Sequence, residues 1–100
     1  MIEITPGVVW PEPPHFPVGR AVMDYGAAEL LDMKAVSEAL GRHERADWGE
    51  VSPEARKGND QALSQGRSVE SAWTDPYGTR FTVTTSGDRS YTRVFLAEMP

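Results

Sequence analysis

Residues 67–96 constrain this chain more than any other stretch. They read RSVESAWTDPYGTRFTVTTSGDRSYTRVFL. Three runs rich in Val, Thr, Phe, Tyr and Trp are separated by two turn signals, Asp75-Pro76-Tyr77-Gly78 and Ser86-Gly87-Asp88-Arg89. β-branched and aromatic side chains suit a pleated surface, while Pro and Gly supply turn dihedrals that few other residues tolerate. Connections this short join antiparallel neighbours, so the segment is expected to form a three-stranded antiparallel meander. Period-two alternation pairs Phe81 with Val83, and Val94 with Leu96, on a core face. It turns Tyr91, Arg93 and Phe95 the other way.

The preceding segment reads as helical. Asp32 is placed to cap a helix over residues 33–40, in which Val36 and Leu40 form a buried stripe and Lys34, Ser37 and Glu38 point outward; it ends at Gly41 or runs through to His43. Asp24 is placed to cap a shorter helical piece over 25–31. Ser52-Pro53-Glu54 opens a further helix that runs to about residue 64 and stops at Gly66. Residues 42–51 form a polar link in which Asp47-Trp48-Gly49 plugs the gap between helices and sheet. Upstream, residues 1–19 contain five of the eight prolines, so they should be extended or polyproline II. Residues 1–9 offer a short edge strand and residues 16–22 a strand or turn, with Trp10 and Phe16 pinning the arm to the core. Trp48, Leu40, Val36, Phe81, Val83, Val94 and Leu96 are expected to be buried together. The expected architecture is α+β in one domain of 100 residues. A meander at about 67–97 packs on two or three short helices within 24–64, and a Pro-rich arm spans 1–19.

Composition narrows the chemistry. The chain has no cysteine, which excludes disulfides and thiolate metal sites. No apolar run approaches the ~20 residues of a membrane span and no basic-then-apolar signal opens the chain, so a cytoplasmic setting without a membrane partner is expected. Net charge is −5, unfavourable for a double-stranded DNA binder that replaces counterions with Lys and Arg. Residues 25–66 hold eight acids against five bases, whereas 67–100 balance four against four. Of the two histidines, His15 and His43, the second lies near Glu44, Asp47 and Glu50, but no second histidine joins it at metal-ligand spacing. Nucleophile-elbow spacing is missing as well. The expectation is therefore a non-enzyme with no catalytic residue, metal or cofactor. Asp88 and Arg89 at a hairpin tip, with Tyr91, Arg93 and Phe95 beyond it, form the candidate partner-binding surface, since Arg and aromatics are enriched in binding hot spots. An alternative places single-stranded nucleic acid on Arg67, Arg80, Arg89 and Arg93 with Trp73, Tyr77 and Tyr91 as stacking platforms.

The block His43-x3-Asp47-Trp48-Gly49, followed by Asn59, Gly78, Thr84 and Asp88-Arg89-Ser90, resembles a group of small uncharacterised bacterial proteins. These are carried on plasmids and phages of GC-rich bacteria and end in strands reading like W-x-I-T-E-x-D-R-S. The similarity spans residues 40–97. The chain departs from it at Thr82, where the group has an aromatic, at Ser86-Gly87 in place of an acidic pair, and in its Pro-rich arm. The resemblance implies a genetic neighbourhood and supplies no catalytic residues. Joined to small size and acidic charge, it leads to the expectation of a mobile-element module that binds a host or defence protein. An inhibitor of the anti-restriction or anti-CRISPR type is one form of this, and a homodimer is compatible with it.

Overall fold

The computed structural model describes residues 1–4 and 10–97. Its elements run β1 (Ile2–Glu3), β2 (Arg20–Met23), α1 (Tyr25–Leu30), α2 (Met33–His43), α3 (Pro53–Gln65), β3 (Val69–Thr74), β4 (Arg80–Thr85) and β5 (Tyr91–Leu96). The helix starts follow their caps. Asp32 Oδ2 accepts the Ala35 amide at 3.1 Å, and Ser52 Oγ accepts the Ala55 amide at 3.1 Å with Pro53 in the first turn. Gly66 closes α3 in the left-handed region, where the absence of Cβ removes the strain. One expectation changes. Asp24 occupies the cap position of α1 but makes no side-chain cap bond, because its carboxylate is committed to Arg93. Of the two expected ends of α2 the later is the observed one: the helix continues through Gly41 to His43. None of the described helices is long and apolar enough to cross a membrane.

The fold is α+β, and β3, β4 and β5 form the antiparallel meander read from the sequence. The sheet nevertheless has five strands, in the order β1-β2-β5-β4-β3. β2 joins parallel to β5, pairing Arg20 with Tyr91 and Val22 with Arg93, and β1 pairs antiparallel with β2. A four-residue strand whose parallel partner lies some seventy residues away leaves no local pattern, since parallel pairing needs no turn between its strands. Of the edge strand expected over residues 1–9, Ile2 and Glu3 form β1, and residues 5–9 lie outside the described residues.

One face of the sheet packs on the helices through two apolar clusters. The larger joins Ala21, Met23, Trp73, Phe81, Val83 and Val94 to Ala27, Val36 and Leu40. The smaller joins Val69 to Phe16, Val18, Trp48 and Ala62. The set expected to be buried together is thus divided. Trp48 belongs to the second cluster, and Leu96, at the end of β5, is only partly buried at the rim of the first.

From Trp10 onward, the Pro-rich arm lies against α2. Phe16 is buried, stacks on Trp48 at 6.1 Å and meets His43 edge-on at 5.5 Å. Trp10 rests on Gly41, where any Cβ would overlap the indole. Arg45 holds the contact in place, its guanidinium 5.0 Å from the Trp10 ring centre and its Nε donating to the Glu12 carbonyl at 2.9 Å.

Candidate functional site

His43 extends the buried stripe of α2, falling one turn beyond Leu40 and two beyond Val36. It is fully buried, with Nδ1 2.6 Å from Ser71 Oγ and Nε2 2.8 Å from Thr85 Oγ1. Counting donors assigns every proton. Thr92 donates its hydroxyl hydrogen to the Val18 carbonyl at 2.7 Å, so its oxygen must accept from Thr85 at 2.7 Å. Thr85 then accepts from His43 Nε2–H. The imidazole is therefore the neutral Nε2–H tautomer, Nδ1 accepts the Ser71 hydroxyl, and Ser71 accepts Trp73 Nε1–H at 2.7 Å. Burial, and secondarily the positive charge of Arg89, push the histidine down to about 3. Ser71 and His43 stand at the distance of a nucleophile and its base. Both are fully buried within a saturated hydrogen-bond relay.

The remainder of the sequence block closes the edge of the sheet. Gly49, at φ 67°, brings the chain alongside β3, where a Cβ would overlap the Ala72 carbonyl. The Trp48 carbonyl accepts the Ala72 amide at 3.2 Å, and the Glu50 amide donates back to the Ala72 carbonyl at 2.8 Å. Two residues earlier on β3, the Asn59 carboxamide takes the place of a strand. Its Nδ2 donates to the Glu70 carbonyl at 2.7 Å and its Oδ1 accepts the Glu70 amide at 3.0 Å. Asp47 Oδ1 accepts the Gly49 amide, and Trp48 Nε1 donates to Asp60 at 2.9 Å.

The five residues of the candidate surface separate into two groups. At the β4–β5 turn, Asp88 Oδ1 accepts the Ser86 and Ser90 hydroxyls, each at 2.7 Å, and these bonds hold its carboxyl down to about 2. Arg89, at φ 62°, reaches back over Phe16 and donates to the Arg67 carbonyl at 2.8 Å and the Ser86 carbonyl at 3.0 Å. The tip is thus a self-contained turn locked to the end of α3. Tyr91, Arg93 and Phe95 lie on the helix-free face, opposite Thr92 and Val94. Arg93 forms a two-pronged pair with Asp24, Nε to Oδ1 at 3.0 Å and Nη2 to Oδ2 at 2.6 Å, and its guanidinium lies 4.6 Å from the Phe95 ring centre. That hydrogen bond holds the Asp24 carboxyl below its usual range.

Pairing across β2 and β5 places Arg20 beside Tyr91 and Val22 beside Arg93, so both β2 residues share this face. Arg20 was not among the expected residues, because only the parallel register brings it there. Neither buried cluster includes a residue of this face. Tyr91 is 47% exposed, and Arg20 makes only a long contact with Glu3, at 3.7 Å. Of the residues considered for nucleic-acid stacking, Trp73 is buried on the opposite face under the Arg42 guanidinium, and Tyr77 is exposed in the β3–β4 turn. Among the described residues, no three His, Asp or Glu side chains come together to hold a metal ion. Compared with family models, curated proteins and solved structures, the chain matches none.

Proposed function

We propose that this protein is a non-enzymatic binding module of the cytoplasm that engages another protein through the helix-free face of its sheet. The observation that carries this reading is the strip of Arg20, Tyr91, Arg93 and Phe95 across β2 and β5, on a face that neither buried cluster uses. Aromatic and arginine side chains on a rigid sheet lose little freedom on binding and are enriched in hot spots. Charge supports a partner surface offering carboxylates beside apolar groups. The chain is −5 overall with its acids concentrated in 25–66, so an acidic partner is repelled elsewhere and oriented toward Arg20, whose exposed pair with Glu3 is long at 3.7 Å. The groups with shifted acidity, Asp24, His43, Asp75, Asp88 and Arg93, are all committed to internal hydrogen bonds, which favours binding over catalysis. The resemblance of residues 40–97 to plasmid and phage proteins supports a host or defence protein as the partner. The chain would then act as an inhibitor of the anti-restriction or anti-CRISPR type.

The test compares capture by the parent chain with capture by Tyr91→Ser and Arg20→Glu, both at exposed positions, using proteins from a GC-rich bacterial host. A host protein retained by the parent and lost by both folded variants is the expected result. Equal capture by all three overturns the assignment to this face. Binding of oligothymidylate that falls steeply with added salt would replace it with the single-stranded nucleic-acid reading.

A further inference from the structure

A second surface feature lies at the opposite end of β4 and β5 from the hairpin tip. A groove of about 400 Å³ runs between the end of α1 and the β3–β4 turn, lined by Leu30, Gly78, Thr79, Arg80, Leu96 and Ala97. Its apolar wall is in contact with water: Leu30 is 58% exposed, and Leu96 is only partly buried. The turn that forms the other wall is rigid. Asp75 Oδ1 accepts the Tyr77 amide at 3.0 Å and the Thr79 amide at 2.8 Å, while Oδ2 accepts the Asp32 amide at 3.1 Å and ties the turn to the start of α2. Burial alone would raise the Asp75 carboxyl, yet these amides hold it below its usual value, so it stays ionised and the turn stays closed. A preformed wall removes most of the ordering cost that binding would otherwise carry.

Charge decides what fits. Arg80, exposed on the groove's rim, forms no ion pair among the described residues. An apolar floor with a guanidinium at its rim that has no carboxylate partner among the described residues selects an apolar side chain flanked by a carboxylate. The volume, near the lower end of ligand-sized clefts, holds one large side chain with its adjoining backbone. We propose that this groove receives an acidic peptide segment of a partner protein, with an apolar side chain between Leu30 and Leu96 and a carboxylate on Arg80. The site is distinct from the helix-free strip, since none of Arg20, Tyr91, Arg93 or Phe95 lines it.

The probe is the blocked peptide acetyl-Asp-Leu-Trp-Leu-Asp-amide, titrated into ¹⁵N-labelled protein. Saturable amide shifts are expected at Leu30, Gly78, Thr79, Leu96 and Ala97. Arg80→Gln should weaken binding about five-fold, and the Asn-for-Asp version of the peptide should lose a similar factor on the parent protein. Leu30→Asp should weaken it about ten-fold or more by removing apolar contact and adding a like charge. Both positions are exposed, so both variants should keep the parent spectrum. Tyr91→Ser, which tests the other face, should bind the peptide normally. Shifts centred on Arg20 and Tyr91, equal affinity of Arg80→Gln and parent, or no shift at millimolar peptide would each overturn the proposal.

Discussion

His43 shows how one residue can set the terms of a core. An imidazole out of water is tolerated only when neutral and bonded at both nitrogens, and the Ser71–Thr85–Thr92 relay meets both conditions. Protonation would put a hydrogen on Nδ1, leaving Ser71 facing two donors. Because the folded value of about 3 lies below the ordinary 6.5, the unfolded chain binds the extra proton between them. The stabilisation is therefore complete above about pH 6.5 and is lost as pH falls toward 3. The carboxylates with lowered values, Asp24, Asp75 and Asp88, start from 3.8 and act in the same direction only further down. Between about pH 6 and 4.5, urea-melt stability should thus fall by roughly 1.4 kcal/mol per pH unit. His43→Leu should flatten that slope, and ¹⁵N spectra of the parent should report the Nε2–H tautomer at neutral pH. An unchanged slope in the variant would place the titrating group elsewhere.

Among the elements, β3 is the instructive one, because an edge strand invites pairing with another chain. Here the exposed main chain at Glu70 and Ala72 is occupied by Asn59 and by the segment Trp48–Gly49–Glu50. The block that carries the sequence resemblance is in large part this closure. Asn59→Asp keeps an acceptor for the Glu70 amide but turns a second oxygen toward the Glu70 carbonyl. The variant should lose about 1–3 kcal/mol and, with its edge reopened, self-associate in a concentration-dependent way on size-exclusion chromatography. A variant that is monomeric and as stable as the parent would show that the carboxamide is dispensable. Asp24 and Arg89 make a related point: Asp24, which read as a cap, ties β5 to α1 instead, and Arg89, which read as half of a recognition pair, also ties the hairpin tip to the end of α3.

At the scale of the molecule, the sheet's packed face is divided by the polar relay into two apolar clusters, one around Phe81 and one around Trp48. Conservative truncations, Phe81→Leu and Trp48→Phe, should each destabilise by about 1–2 kcal/mol, and their effects should add within about 0.5 kcal/mol in the double variant. A coupling larger than 1 kcal/mol in urea melts would mean that the clusters behave as one core.

The meander, the caps at Asp32 and Ser52 and the stop at Gly66 were legible in the chain itself, because turn dihedrals, cap bonds and strand alternation are decided by residues a few positions apart. The outward direction of Tyr91, Arg93 and Phe95 followed from the same alternation. The position of His43 was also recoverable, at one turn beyond Leu40 on the stripe begun by Val36, once the helix is continued past Gly41. Tertiary structure alone decided the parallel addition of β2, which brings Arg20 beside Tyr91 and Asp24 onto Arg93. It also decided that Asn59 would stand in for a strand and that Arg89 would turn inward. Such contacts join residues 11 to 71 positions apart, and at that range only the folded geometry determines which polar groups find each other.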